Sequence, residues 1–279
     1  MAATPIGIGA QPLLELDSLP VALHHFVLGY EPIAESMSME GGSRTTFLLE
    51  PVTAAAVEYQ NGDWILLDTG FNVDVIRDPA RRASVFNYES YTAVVPPGDP
   101  LLDQTEAAGL VWSKLVGAAM SHLHLDHSGG LRHFVDGPPV FVQRREWEFA
   151  NTVATLSHCY FRDDYQIDGL TVVTVDGDTV LAPGLKAVDT PGHTPGHQSF
   201  AVSLGTRTIV LAFDAADLRE NILERRRPGW MVDANYSTAA QYSIDRLADM
   251  EQESGTEVWP GHDPNWWSWQ RPGKVSVYS

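Results

Sequence analysis

The chain has 279 residues, of which 44% are hydrophobic and 19% charged, as expected for a globular protein with a full core. Its formal net charge is −18, and this acid excess argues against nucleic acid or an anionic membrane as a partner, because both attract basic patches. Cys159 is the one cysteine, so an intrachain disulfide is excluded. The sequence offers neither a signal peptide nor an apolar run of membrane-spanning length, and we expect a cytoplasmic protein.

The first 42 residues are predicted to be irregular, because they carry scattered prolines and end in the pair Gly41-Gly42. We expect this segment to act as a lid or a dimer contact. Residues 43–279 are then predicted to form a single catalytic domain.

From residue 44 onward, short strands alternate with helices. Strands are predicted over residues 45–49, 54–59, 64–67, 116–120, 140–142, 172–175, 186–188, 199–202, 208–212 and 257–259. Helices are predicted over 105–114, 143–151 and 237–250, the last with Ser237 as its N-cap. The pattern favours an α/β fold of two mixed β-sheets packed face to face with flanking helices, an αββα sandwich.

The segment Ser-His-Leu-His-Leu-Asp-His-Ser-Gly-Gly at residues 121–130 contains the strongest chemical signal. His122 and His124 lie on the same side of an extended backbone, and Asp126 and His127 follow where a helix is predicted to begin. One metal ion could use the first pair and a second ion the other pair. Two adjacent metal ions indicate hydrolysis by an activated water molecule.

Four further metal-capable residues follow predicted strands. They are Asp68, His193, Asp214 and His262. Strand ends on one edge of a sheet lie close together, so that residues distant in sequence can converge there. Seven nitrogen and oxygen ligands without cysteine do not resemble a closed structural zinc site.

These motifs resemble the metallo-β-lactamase fold superfamily over residues 44–262, and within it the N-acyl-homoserine lactonases. The strings at 121–130 and at 190–199, Thr-Pro-Gly-His-Thr-Pro-Gly-His-Gln-Ser, carry the finer resemblance. The resemblance implies two divalent metal ions, and we expect zinc because it suits these ligands, although iron, cobalt or manganese could also bind. It also implies a lactone substrate and often a homodimer.

The resemblance further implies a role for each residue of the site. The first metal ion would be bound by His122, His124 and His193, the second by Asp126, His127 and His262, and Asp214 would bridge them. Asp68 resembles the buried acid that steadies the histidine loop. The implied mechanism is attack of a metal-bridging hydroxide on the lactone carbonyl, with Asp126 passing a proton to the ring oxygen that leaves.

The substrate pocket departs from the lactonase pattern. Those enzymes carry a tyrosine three residues after the bridging aspartate, where this chain has Asp217. An ionised carboxylate cannot donate a hydrogen bond to an oxyanion, so Tyr160 or Tyr236 could replace the missing donor, or the substrate differs. Three tryptophans soon after His262 could wall an apolar pocket: Trp266, Trp267 and Trp269.

Two other functions remain open at this point. A thioesterase of the glyoxalase II type, or another ester hydrolase of the same fold, uses the same ligands, although the short stretch after His262 holds only Arg271 and Lys274 as bases. A non-catalytic metal-binding protein would also keep these residues. Metal analysis with a lactone panel separates the possibilities.

Overall fold

A computed structural model describes residues 11–85, 93–152, 159–269 and 273–277. The strands in these ranges are β1 (Pro20–Ala34), β2 (Phe47–Tyr59), β3 (Trp64–Leu67), β4 (Leu115–Ala119), β5 (Val140–Gln143), β6 (Val172–Val175), β7 (Thr179–Ala182), β8 (Leu185–Asp189), β9 (Gln198–Leu204), β10 (Arg207–Leu211), β11 (Thr256–Trp259) and β12 (Lys274–Ser276). The helices are α1 (Glu35–Ser38), α2 (Val73–Arg77), α3 (Pro79–Val85), α4 (Pro100–Ala107), α5 (Leu125–Ser128), α6 (Arg144–Thr152), α7 (Arg219–Leu223), α8 (Ser237–Glu251) and α9 (Pro264–Trp269).

The strands form two mixed sheets. The first has the order β12-β1-β2-β3-β4-β5-β6, and the second has the order β11-β10-β9-β8-β7. Parallel pairing joins β3 to β4, β4 to β5, β5 to β6 and β10 to β11, whereas the remaining neighbours are antiparallel. The predicted sandwich of two mixed sheets is confirmed.

Alternating side chains separate the inner and outer faces of each sheet. In β3, Ile65 and Leu67 belong to the core between the sheets, while Trp64 and Leu66 belong to the core on the outer face. Because successive side chains in a strand point to opposite faces, both faces of a central strand need an apolar cover. This requirement explains why β3 is apolar throughout.

Helices cover the outer faces of both sheets. Leu101 of α4 and Ala150 of α6 pack in the outer core of the first sheet. On the second sheet, Ile244 and Leu247 of α8 pack with Val210 of β10. The helices thereby complete an αββα sandwich. Among the described residues, no helix combines the length and the apolar character needed to cross a membrane.

Three local predictions are wrong. The segment 1–42 is not irregular throughout, because residues 20–34 form the longest strand, which pairs with β2 along its length. The helix expected over 105–114 begins earlier, at Pro100 behind the cap Asp99, and ends at Ala107. Ser237 is the first residue of α8 and makes no cap, since Tyr236 holds the N-cap position. The prolines and glycines of the N-terminal segment favoured an irregular prediction. They gave no sign of β1, whose partner β2 lies outside that segment.

Candidate metal centre

The ends of five strands converge on one edge of the sandwich. The histidine loop begins three residues after β4, and Asp68 directly follows β3. Asp214 lies in a short turn of 3₁₀ helix after β10, and His262 lies in the loop after β11. His193 follows β8. The convergence expected from the sequence is therefore present in the structure.

Three imidazole nitrogens meet in the first group of potential ligands. His124 Nδ1 lies 2.9 Å from His122 Nε2 and 3.0 Å from His193 Nε2. Neutral imidazoles offer only one N–H each, so three mutually close nitrogens are better matched to a shared cation than to one another. A carboxylate oxygen of Asp214, Oδ2, lies 3.3 Å from His193 Nε2 and completes the group.

The second group combines two imidazoles with two carboxylates. His127 Nε2 lies 3.1 Å from Asp126 Oδ2 and 3.1 Å from Asp214 Oδ1. His262 Nε2 lies 2.8 Å from the same Asp214 oxygen. These four ligand atoms lie close enough to surround a single ion. Nitrogen and oxygen donors in this number suit zinc and other divalent ions of borderline softness.

Asp214 belongs to both groups through different oxygens. Its Oδ2 atom faces His193 and His122, and its Oδ1 atom faces His127 and His262. The residue before it, Phe213, has a positive φ of 47°. Gly261 allows the neighbouring loop to approach, because a Cβ there would lie 2.6 Å from the Phe213 carbonyl carbon.

Hydrogen bonds to the outer nitrogens orient several of the rings. His127 Nδ1 lies 2.7 Å from Asp68 Oδ2, and His262 Nδ1 donates to the carbonyl of Pro51 at 2.9 Å. Such bonds leave Nε2 as the nitrogen that faces the centre. Asp68 also accepts from the backbone N–H of Ser121 at 2.6 Å. Asp68 thus contacts both the residue before the histidine loop and His127 within it.

The pKa values of the histidines and aspartates at the site depend on burial and on the neighbouring charges. Burial lowers the pKa of His122 and His124 well below the usual range, with neighbouring histidines adding to the effect, so both rings are neutral and able to bind a metal ion. Burial opposes ionisation of Asp214, but His127 and His262 outweigh it and hold its pKa well below the usual value. Burial opposes protonation of His127 and His262, but the neighbouring carboxylates outweigh it and raise the pKa of both rings well above the usual value. A metal ion at the second group would therefore displace protons from these two rings.

A cavity of about 650 Å³, counted with the open solvent at its mouth, lies over the two groups. Its apolar wall consists of Ile33, Met37, Val52, Leu125 and Trp230. Beyond the ligand groups, three carboxyl side chains reach it, those of Glu31, Glu50 and Asp217, and no lysine or arginine is among the described residues that line it. Burial raises the pKa of Glu50 to about 7, and the nearby His262 opposes that shift.

Most of the predicted pocket residues lie elsewhere. Trp267 belongs to the core between the sheets, and Trp266 packs beneath the guanidinium of Arg219. Neither of them lines the cavity, and the side chain of Trp269 lies outside the described part of the chain. Proximity in sequence to His262 did not predict a place in the cavity, because α9 turns Trp266 and Trp267 toward the core between the sheets.

The two tyrosines considered as donors also differ from expectation. Tyr160 is fully buried and donates its hydroxyl to Glu146, and Tyr236 contacts Phe149. Neither of the tyrosines lines the cavity, whereas Asp217 does.

Sequence reasoning missed the contact between residues 37–40 and 227–230, which forms one side of the cavity. We call residues 227–230 the strap. The ring of Trp230 lies 5.4 Å from that of His193, and the backbone N–H of Trp230 donates to the carbonyl of Met37 at 2.8 Å. A salt bridge between Arg227 and Glu40 joins the same two segments. The only signal in the sequence was the run Arg-Arg-Arg-Pro-Gly-Trp, which has no motif character.

The fold places two groups of histidine and aspartate side chains at one edge of two facing mixed sheets. This arrangement defines a class of metalloproteins that bind two ions. A profile of the Metallo-beta-lactamase superfamily matches residues 48–262. The chain belongs to this superfamily.

Named relatives lie in one branch of the superfamily. The chain is 30% identical over 225 residues to the N-acyl homoserine lactonase AttM of Azorhizobium caulinodans, covering 78% of this chain and 83% of the relative. It is 28% identical over 214 residues to the N-acyl homoserine lactonase AiiA of Bacillus thuringiensis subsp. kurstaki, covering 76% and 81%.

Solved structures share the same fold. A structure of an N-acyl homoserine lactone hydrolase, with the product N-hexanoyl-L-homoserine at its catalytic metal centre, has a TM-score of 0.79 and 24% identity. It covers 91% of this chain and 97% of the other.

Proposed function

We propose that this protein is a metal-dependent hydrolase with two metal ions that opens the ring of a lactone, with N-acyl-homoserine lactones as the first class to test. The observation that carries the proposal is the division of the two Asp214 oxygens between two groups of ligands, 3.3 Å from His193 Nε2 and 2.8 Å from His262 Nε2. The lactonase names of the relatives support the choice of substrate.

The proposed ligand allocation follows the two groups. His122, His124 and His193 would hold one ion, Asp126, His127 and His262 would hold the other, and Asp214, which belongs to both groups, would contribute to each. We propose zinc for both positions. Bound ions of this kind lower the pKa of water and polarise a carbonyl, which supplies the nucleophile and the electrophile for ring opening.

We assign proton transfer to Asp126 and the positioning of a metal-binding histidine to Asp68. The side chain of Asp126 is 14% exposed, more than that of Asp214 at 8%, and it lines the cavity where a substrate would lie. This exposure supports its proposed role as the group that carries a proton to the leaving ring oxygen. Asp68 is fully buried, and it holds the ring of His127 and the backbone of Ser121 in place.

The walls of the cavity suit a neutral substrate with an apolar chain. Trp230, Met37 and Ile33 offer an apolar surface beside the metal centre. The described residues that line the cavity include no lysine or arginine, so an anionic substrate would find no basic partner there. This lining favours a lactone over the glutathione thioester of the glyoxalase II alternative, because a peptide carrying carboxylates needs basic partners.

Two further parts of the proposal concern the N-terminal segment and assembly. Ile33 and Met37 lie in the cavity wall, which supports a role for residues up to 42 as one side of a lid. A homodimer stays a prediction, and analytical ultracentrifugation of the purified protein tests it.

The experiment is a pH-stat assay of the zinc-loaded protein, since proton release reports ring opening without a chromophore. The panel contains acyl-homoserine lactones, γ- and δ-lactones, an aromatic lactone and a glutathione thioester. Hydrolysis of lactones but not of the thioester supports the proposal. Preferred cleavage of the thioester favours the glyoxalase II type, and two bound ions without any hydrolysis favour the non-catalytic protein.

A further inference from the structure

Glu146 is a fully buried acid that the proposed reaction does not use. It lies in α6 and has no exposed surface. It belongs to neither group of potential metal ligands. A buried carboxyl group is costly unless its oxygens are well satisfied, so its hydrogen bonds identify what it holds.

Four donors converge on this one carboxyl group. Oε1 accepts from the backbone N–H of Leu123 at 3.0 Å and from the Tyr160 hydroxyl at 2.7 Å. Oε2 accepts from the Thr194 hydroxyl at 2.6 Å and from the backbone N–H of Gly196 at 3.3 Å. Each oxygen of the carboxyl group therefore accepts two hydrogen bonds.

Three of these four donors lie next to a ligand of the first metal position, either in sequence or in contact. Leu123 is the residue between His122 and His124, and Thr194 directly follows His193. The Tyr160 ring lies 4.7 Å from the His124 ring, edge to face. One carboxyl group thus ties together two loops that come from different sheets, the loop after β4 and the loop after β8.

The chemistry of the donors requires a carboxylate. An ionised carboxyl group only accepts, and its two oxygens offer about four lone-pair sites, which match four donors. Glutamine in the same place would turn an NH₂ group toward one hydroxyl, which can also accept, and one backbone N–H, which cannot. Burial raises the pKa of Glu146, and the hydrogen bonds from Thr194, Tyr160 and the backbone oppose that shift.

We propose that Glu146 is the positioning residue for the first metal position, holding His122, His124 and His193 in register through their neighbours. The inference rests on the proposed two-metal function. Glu146 would support the first position alone, whereas Asp68 reaches both positions, directly at His127 and through the Ser121 hydroxyl at His122. Removal of groups that orient metal ligands typically weakens metal binding about 10- to 100-fold.

The test measures zinc affinity at each position by competition with a chromophoric chelator. Glu146→Gln is introduced into two backgrounds, His262→Ala, which leaves the first group intact, and His193→Ala, which leaves the second. We expect binding about 10- to 100-fold weaker in the first background and a change below about threefold in the second. Glu148→Gln, an exposed neighbour on the same helix, is the matched control and should change neither.

A general loss of structure predicts a different pattern. It would weaken both positions alike and lower the melting temperature of the metal-free protein in proportion, and this result, or unchanged affinity at the first position, overturns the inference. If Glu146→Gln fails to fold, Thr194→Val removes one donor and should weaken the first position about two- to tenfold. Unchanged affinity in that variant also overturns the inference.

The binding assay separates this inference from the proposed function. A wild-type protein that binds two zinc ions but hydrolyses no lactone refutes the function and leaves the positioning role intact. A wild-type protein that binds no zinc refutes both.

Discussion

The Oδ1 atom of Asp214 lies 2.8 Å from Nε2 of His262, while the other oxygen of the same carboxylate faces the histidines of the first group. Asp214→Ala removes both contacts at once. We expect the bound zinc to fall from two ions to at most one and lactone hydrolysis to fall to background. Metal analysis after dialysis and the pH-stat assay measure the two effects, with the exposed Asp245→Ala on α8 as control.

Trp230 should set the preference for long acyl chains. Its ring forms part of the cavity wall above His193 and His124. For Trp230→Ala we expect KM to rise about tenfold or more for a long-chain acyl-homoserine lactone, because burial of a few methylenes against the ring is lost. A short-chain substrate should show a smaller change. Trp266→Ala, a tryptophan outside the cavity, should leave the ratio of the two KM values unchanged, and an unchanged ratio in Trp230→Ala would refute this assignment.

Gly192 permits the loop of His193 to pack on α8. Its φ is +146°, and a Cβ there would lie 2.3 Å from Cα of Ala240. We expect Gly192→Ala to lower the free energy of unfolding by about 3 kcal/mol or more, since neither backbone can yield cheaply. Gly62→Ala serves as control, because Gly62 also has a positive φ but open space around it, and it should cost only about 1 kcal/mol. Urea denaturation measures both, and equal losses would contradict the steric argument.

Asp164 should make stability depend on pH. Burial raises its pKa to about 7, while Asn72 donates to its Oδ1 atom at 2.7 Å. Because the folded pKa lies above the unfolded value of about 3.9, the stabilising contribution is complete below pH ~4 and is lost as pH rises through about 7.

Asp164→Asn keeps the acceptor and removes the ionisation. We expect its free energy of unfolding, relative to wild type, to increase by on the order of 2 kcal/mol between pH 5 and pH 8. Asp163→Asn, on the exposed side of the same turn, should show no such trend. A pH-independent difference between Asp164→Asn and wild type would contradict the assignment.

The sequence predicted the sandwich and the convergence of the centre because both depend on local patterns. Strand β3 is recognisable as four apolar residues that are followed by Asp68. The proposed metal ligands likewise come after predicted strands along the chain. Strand β1 was missed because its stability comes from pairing with β2, which no local pattern records.

The substrate cavity was predicted less well for the same reason. Trp230 reaches the site through a strap tied to Met37, a contact between residues nearly two hundred positions apart. Trp267 lies near His262 in sequence, yet its ring packs against Trp259 in the core. Tertiary packing decides which of several tryptophans faces a cavity, and sequence distance does not.

The most direct measurement is the rate of acid release from N-hexanoyl-homoserine lactone as zinc is added to the metal-free protein. The proposed centre predicts that hydrolysis rises with added zinc and levels off at two equivalents, as the two groups joined by Asp214 require. A protein that takes up two equivalents and releases no acid from this lactone or any other would contradict the proposed function.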